Sequence, residues 1–70
     1  MNIKHAQYML TVMQEGSITA AAKKLYISQP SLSQMIKLVE TNLGTAIFNR
    51  STDPITLTYA GEKYIEAAKQ

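Results

Sequence analysis

The stretch Ser28 to Gly44, SQPSLSQMIKLVETNLG, reads as one amphipathic helix with both ends marked. The Ser28 hydroxyl can accept from an otherwise unpaired N–H of the first turn, Pro30 stands where no intrahelical bond is lost, and Gly44 can take the left-handed conformation that ends a helix. Leu32, Ile36, Val39 and Leu43 recur at intervals of four, three and four. They share one side of the helix, which is expected to face a core. The opposite side carries Pro30, Ser33, Gln34, Lys37 and Thr41, with Gln29 and Ser31 near the tip. Hydroxyls, amides and one cation, with no carboxylate on the stripe, suit a surface that offers both hydrogen-bonding edges and negative charge. The major groove of DNA is such a surface.

The chain around this helix is short: 70 residues, 46% of them hydrophobic, make one small domain near the lower limit for a single core. It has no cysteine, hence neither a disulfide nor a thiolate zinc site, and its one histidine, His5, has no companion at ligand spacing. No metal or cofactor is expected. The N-terminus MNIKHAQYML lacks a long apolar run, and no window approaches the roughly 18 apolar residues of a membrane span. A soluble cytoplasmic protein is expected. The net charge of +2 is unevenly spread, with five Lys or Arg against two Glu in residues 1–50 and two Lys against three acids in residues 51–70. That bias is compatible with a polyanionic partner without by itself specifying one.

Upstream, Ile3, Ala6, Leu10 and Met13 form one stripe with Met9 and Val12 beside it, predicting a first helix closed by Gly16. Ser17 offers a second N-cap, and Ile18, Ala21, Ala22 and Leu25 fall on one face of a short helix whose Lys23 and Lys24 point away. Tyr26 and Ile27 separate that helix from Ser28, the connection length of a helix-turn-helix, although no glycine marks the turn. Ile27 is expected to fill the angle between the two helices.

Downstream, residues 46–50 (AIFNR) and 55–57 (ITL) have strand composition, and Ser51 to Pro54 between them has turn chemistry, predicting a small hairpin. Thr58 can cap a last helix in which Ala60, Tyr64 and Ala67 or Ala68 repeat at helical spacing with Ile65 adjacent. This helix has no stop signal and is expected to run to Gln70, as if cut from something longer. The predicted fold is mostly α: three helices, a two-stranded wing and a fourth helix, a winged helix-turn-helix spanning residues 1–70.

With these residues in place, the chain resembles the N-terminal DNA-binding domain of LysR-type bacterial transcriptional regulators. The resemblance runs from the first helix through GSITAAAKKLYISQPSLSQMIKLVETNLGTAIFNR to LTYAG, almost the whole chain. Ser28–Gln29–Pro30, Ser33, Ile36, Glu40, Leu43–Gly44, Phe48, Arg50 and Leu57, Thr58, Ala60, Gly61 all stand in the family's order. The resemblance implies sequence-specific binding of double-stranded DNA with helix 29–43 in the major groove and the wing over the backbone. It also implies a homodimer or tetramer in the full-length regulator, a small-molecule effector bound by a C-terminal domain absent from this sequence, and a last helix, from about residue 58, that begins a linker. Family members usually carry Arg where this chain has Gln34, a basic residue where it has Leu38, and basic residues in the wing where it has Asp53 and Pro54. Phosphate attraction is therefore expected to be weaker than typical.

The candidate DNA-binding residues are Ser28, Gln29, Pro30, Ser31, Ser33, Gln34, Lys37 and Arg50. Read alone, the polar ones would be the solvated face of a surface helix, and Lys23, Lys24 and Lys37 would be ordinary surface lysines. The spacing and the resemblance favour the DNA reading, in which Lys37 lies one turn past Ser33 and Arg50 stands where the family places a phosphate contact. Pro30 is first a helix-start device, with a thymine methyl within reach of its ring. Glu40, on the margin of the buried stripe, is expected to pair locally or hold a neighbouring helix. Tyr64 and Ile65 are expected to leave apolar surface for a dimer contact only partly used here, so that this chain alone is a monomer or weak dimer. The alternative function is a winged-helix module for protein interaction or dimerisation. An enzyme is disfavoured, because the serines lack a histidine base and Glu15, Glu40, Glu62 and Glu66 form no acid–base pair. The four scattered tyrosines make no stacking platform for single strands.

Overall fold

The computed structural model describes residues 2–69. Its elements are α1 (Ile3–Glu15), α2 (Ile18–Leu25), α3 (Gln29–Leu43), β1 (Phe48–Asn49), β2 (Thr56–Leu57) and α4 (Tyr59–Ala68). Each helix begins at a side-chain cap. Asn2 Oδ1 accepts from Lys4 N and His5 N, Ser17 Oγ from Ala20 N, Ser28 Oγ from Ser31 N, and Thr58 Oγ1 from Gly61 N. The Asn2 cap is an addition to the sequence reading, which began α1 at Ile3 without one. α4 ends at Ala68 with Lys69 as its C-cap, and the predicted continuation to Gln70 lies outside the described residues.

The helix ends explain the glycine-free turn. Gly44, at φ 76°, closes α3 with Gly44 N bonded to Thr41 O and Thr45 N to Glu40 O, the paired bonds of a Schellman motif. The same pair recurs after α2, where Tyr26 N bonds Lys23 O and Ile27 N bonds Ala22 O. Here Tyr26 itself takes the left-handed conformation, at φ 58° and ψ 40°. Ile27, packed against the core beyond it, fills the angle between α2 and α3 as expected.

The core draws Met9 and Val12 from α1, Ala21 and Ala22 from α2, Leu32, Ile36 and Val39 from α3, Ile47, Phe48 and Ile55 from the wing, and Tyr64 and Ile65 from α4. Three expectations are corrected. In α1 the buried face runs through Ala6, Met9 and Val12, whereas Ile3 is 75% exposed and Met13 is also exposed. Two apolar stripes lie side by side on that helix, and the packing of α2, α3 and α4 selects the second. Leu43, last of the α3 stripe, is 48% exposed, because the chain turns away at Gly44. Tyr64 and Ile65, assigned to a dimer surface, are buried in the domain's own core. Burial also raises the pKa of the Tyr64 phenol above its ordinary value.

The wing is a two-stranded antiparallel sheet with Phe48 opposite Leu57 and Asn49 opposite Thr56, shorter than the predicted strands. Competing backbone partners limit it. Ile47 O accepts from Thr58 N at 2.9 Å, at the start of α4, and Ile55 N donates to Gly16 O at 2.9 Å, in the α1–α2 turn. Within the wing, Asn49 Nδ2 donates to Leu57 O, and Thr52 Oγ1 bonds Asn49 O and Thr56 Oγ1. Beneath it, Gly61 of α4 faces the Ile47 carbonyl so closely that any Cβ would overlap its oxygen. The assembly is a winged helix-turn-helix: α2, turn and α3, with α1 and α4 behind and the hairpin beside α3.

Candidate nucleic-acid interface

The α3 helix displays its polar side because the other side is fully committed. Leu32 and Ile36 are completely buried and Val39 nearly so. One turn around from them run two adjacent rows of fourth residues, Gln29, Ser33, Lys37 and Pro30, Gln34, Leu38. At a rise of about 1.5 Å per residue, the distance from Gln29 to Lys37 is about 12 Å along the helix axis. Seven of the eight candidate residues, Ser28, Gln29, Pro30, Ser31, Ser33, Gln34 and Lys37, thus lie on this helix or its cap. All are exposed except Ser33, which is half-buried.

Hydrogen bonds between neighbouring side chains order the tip. Ser28 Oγ donates to Ser31 Oγ at 2.8 Å while accepting from Ser31 N at 3.2 Å. Gln29 Nε2 donates to Ser33 Oγ at 2.8 Å, leaving its carbonyl oxygen and second N–H turned to solvent. Among the described residues, Gln34 and Lys37 make no side-chain hydrogen bond or ion pair. They are free to meet an external edge or charge.

Arg50 is apart from this row, just past β1, and is joined to α3 through Glu40. The Arg50 Nη2 lies 3.3 Å from Glu40 Oε1, and Glu40 Oε2 accepts from Ile47 N at 2.7 Å. Glu40, expected to pair locally or to hold a neighbouring helix, instead has the strand entry and Arg50 as its partners. A carboxylate followed seven residues later by an apolar strand start was the available signal. The remaining cations are less committed to this side. Lys24 pairs with Glu15 at 3.6 Å and Lys63 with Glu66 at 3.8 Å, both at exposed positions where such pairs add little stability. Asn2, His5, Val39, Asn42, Leu43 and Tyr64 line a shallow groove of about 460 Å³. No group of three or more His, Cys, Asp or Glu is placed to hold a metal among the described residues, and no helix there is long and apolar enough to cross a membrane.

This arrangement has close counterparts. Residues 3–62 match the model of the bacterial regulatory helix-turn-helix protein, lysR family. The HTH-type transcriptional regulator BsdA of Bacillus subtilis is 42% identical over 71 residues, covering 100% of this chain and 24% of BsdA. BudR of Klebsiella aerogenes, also an HTH-type transcriptional regulator, is 46% identical over 68 residues, covering 97% of this chain and 48% of BudR. The chain therefore spans about a quarter to a half of the length of these relatives. Among solved structures, the BenM DNA-binding domain in complex with catB site 1 DNA superposes with a TM-score of 0.90 at 36% identity, covering 99% of this chain and 78% of that one. The CbnR DNA-binding domain in its DNA complex gives 0.88 at 35% identity, covering 99% and 79%. Matched over almost all of its length in sequence and in fold, the chain belongs to the LysR family of bacterial regulatory helix-turn-helix proteins.

Proposed function

We propose that this chain is the sequence-specific, double-stranded-DNA-binding domain of a bacterial transcription regulator, with α3 in the major groove and the wing over the backbone. The observation that carries the reading is the exposed face of α3, where amides and hydroxyls are interleaved with one unpaired cation on a helix fixed by its buried side. In this reading Gln29, Ser33 and Gln34 meet base edges, and Pro30 adds an apolar contact. Ser28, Ser31, Lys37 and Arg50 meet phosphates. Residues 1–70 form the binding domain, and α4 begins the linker to an effector-binding region. The full-length regulator works in the cytoplasm as a homodimer or tetramer, and its role is binding without catalysis. This chain alone is a monomer or weak dimer, since Tyr64 and Ile65 are used within its own core.

Selection of bound duplexes from a random pool, followed by affinity measurements over a range of salt, tests the proposal. Recovery of a consensus, with affinity falling steeply as salt rises, is the expected result. A domain that enriches no sequence and ignores duplex at low salt would instead be a protein-interaction module.

A further inference from the structure

Glu40 follows Lys37 by three residues on α3, a spacing at which opposite charges on a helix meet. Among the described residues, no ion pair joins them. The carboxylate is engaged elsewhere. Its Oε2 accepts from Ile47 N at 2.7 Å and Phe48 N at 3.5 Å, and its Oε1 accepts from Arg50 Nη2 at 3.3 Å. The Glu40 side chain is 15% exposed and that of Arg50 is 48% exposed, so the acid sits inside the joint while the guanidinium reaches out of it. One carboxylate thus ties both ends of the segment 47–50 to the last turns of α3. A guanidinium has five N–H donors, and this contact uses one of them.

We propose that Glu40 is a positioning residue for DNA-backbone binding. It holds the Arg50 guanidinium at a set place beside α3, and because it is held there in turn, it leaves the Lys37 charge unneutralised. The proposal rests on the duplex-binding reading above and adds a mechanism to it. A long cationic side chain loses rotamer freedom when it grips a phosphate. An arginine already oriented by a carboxylate loses less, and its planar fork keeps donors for the phosphate on the solvent side. Lys37 on the helix and Arg50 at the wing root then form two cationic points whose separation is set by the α3–β1 joint.

The test uses the 70-residue chain and a fluorescently labelled random-sequence duplex of roughly 30 base pairs, because phosphate contacts do not depend on sequence. Affinity is measured over a salt series for wild type, E40Q, R50A, the double variant and R50K, with thermal unfolding as the check on folding. In E40Q the amide oxygen can still accept from Ile47 N, but the side chain no longer holds the cation by charge. E40Q is expected to bind about 3- to 10-fold more weakly in the wild-type background and no more weakly in the R50A background. R50A is expected to lower the salt slope by about one. R50K is expected to keep the slope and lose about 3- to 10-fold in affinity, which tests the pair from its other side if E40Q does not fold. Tighter or unchanged binding by E40Q, an equal loss in both backgrounds, or wild-type binding by R50K would overturn the positioning role. An unchanged slope for R50A would remove the phosphate contact of Arg50 and the proposal with it. Absence of duplex binding by the wild-type chain would instead overturn the broader functional reading.

Discussion

Gly61 lies against the carbonyl of Ile47, close enough that the Cβ of any other residue would overlap the oxygen and approach the carbonyl carbon to 2.9 Å. Glycine inside a helix costs about 1 kcal/mol relative to alanine, so its presence in the first turns of α4 is explained by this approach and not by propensity. The same carbonyl accepts from Thr58 N, so it cannot move aside without breaking the start of α4. Gly61→Ala is expected to destabilise the domain by about 2–4 kcal/mol despite the gain in helix propensity. Urea unfolding checks this, and a variant as stable as wild type would show that the α4–wing contact can relax.

Tyr26 gives the opposite case. It is 94% exposed and holds a left-handed backbone conformation that a side chain disfavours by roughly 1–2 kcal/mol. Tyr26→Gly removes that cost at almost no loss of packing, offset in part by the greater freedom of glycine in the unfolded chain. A net stabilisation of about 0.5–1 kcal/mol is expected by the same urea assay. A loss of stability would mean that the aromatic ring contributes more than its exposure suggests.

Tyr64 makes stability depend on pH at the alkaline end. Burial raises the pKa of its phenol above the ordinary 10.0, so above that pH the unfolded chain ionises first and gains relative to the folded one. The contribution is fully present below pH 10.0 and is lost as pH rises toward the folded value. Tyr64→Phe, which cannot ionise, is expected to lose less stability than wild type between pH 9 and roughly pH 11 while matching it within about 1 kcal/mol at pH 7. Parallel curves for the two proteins would place the alkaline sensitivity in other groups.

Gln34 and Lys37 separate base reading from phosphate binding. An amide can bond adenine bidentately through N6 and N7, whereas arginine favours guanine through O6 and N7. Gln34→Ala is expected to cost about 1–3 kcal/mol on the selected site and little on random duplex, and Gln34→Arg to move one position of the site toward guanine. Lys37→Ala is expected to weaken all duplexes alike and lower the salt slope by about one. A panel of single-base variants of the selected site distinguishes them. Uniform loss across the panel for Gln34→Ala would leave Gln34 as a positioning residue on the helix.

Local chemistry made much of this molecule readable. Ser17, Ser28 and Thr58 announced three helix starts, Gly16 and Gly44 two ends, and the recurrence of Leu32, Ile36 and Val39 fixed which side of α3 is buried. Non-local packing was less accessible. The choice between two apolar stripes on α1 depended on neighbours distant in sequence, and so did the burial of Tyr64 and Ile65. The turn between α2 and α3 was legible from its length, but its left-handed residue was not, because Tyr26 stands where glycine usually signals that role. At the candidate interface, one predicted helix and its cap carry seven of the candidate residues, but the link from Arg50 to Glu40 spans ten positions that no periodicity connects.

The two-pair ladder of the wing gives the hairpin little independence. Its entry at Ile47 is tied to Glu40 through the N–H and to Thr58 through the carbonyl, and Ile55, just before β2, is tied to Gly16 through its N–H. Each anchor belongs to a different helix or helix boundary, so the hairpin behaves as a bracket between distant parts of the chain. Exchanging whole wings between relatives therefore disturbs several joints at once. A transplanted loop confined to residues 51–54 leaves those anchors in place and gives up the Thr52 hydrogen bonds to Asn49 O and Thr56 Oγ1 together with the approach of Pro54 to Gly16.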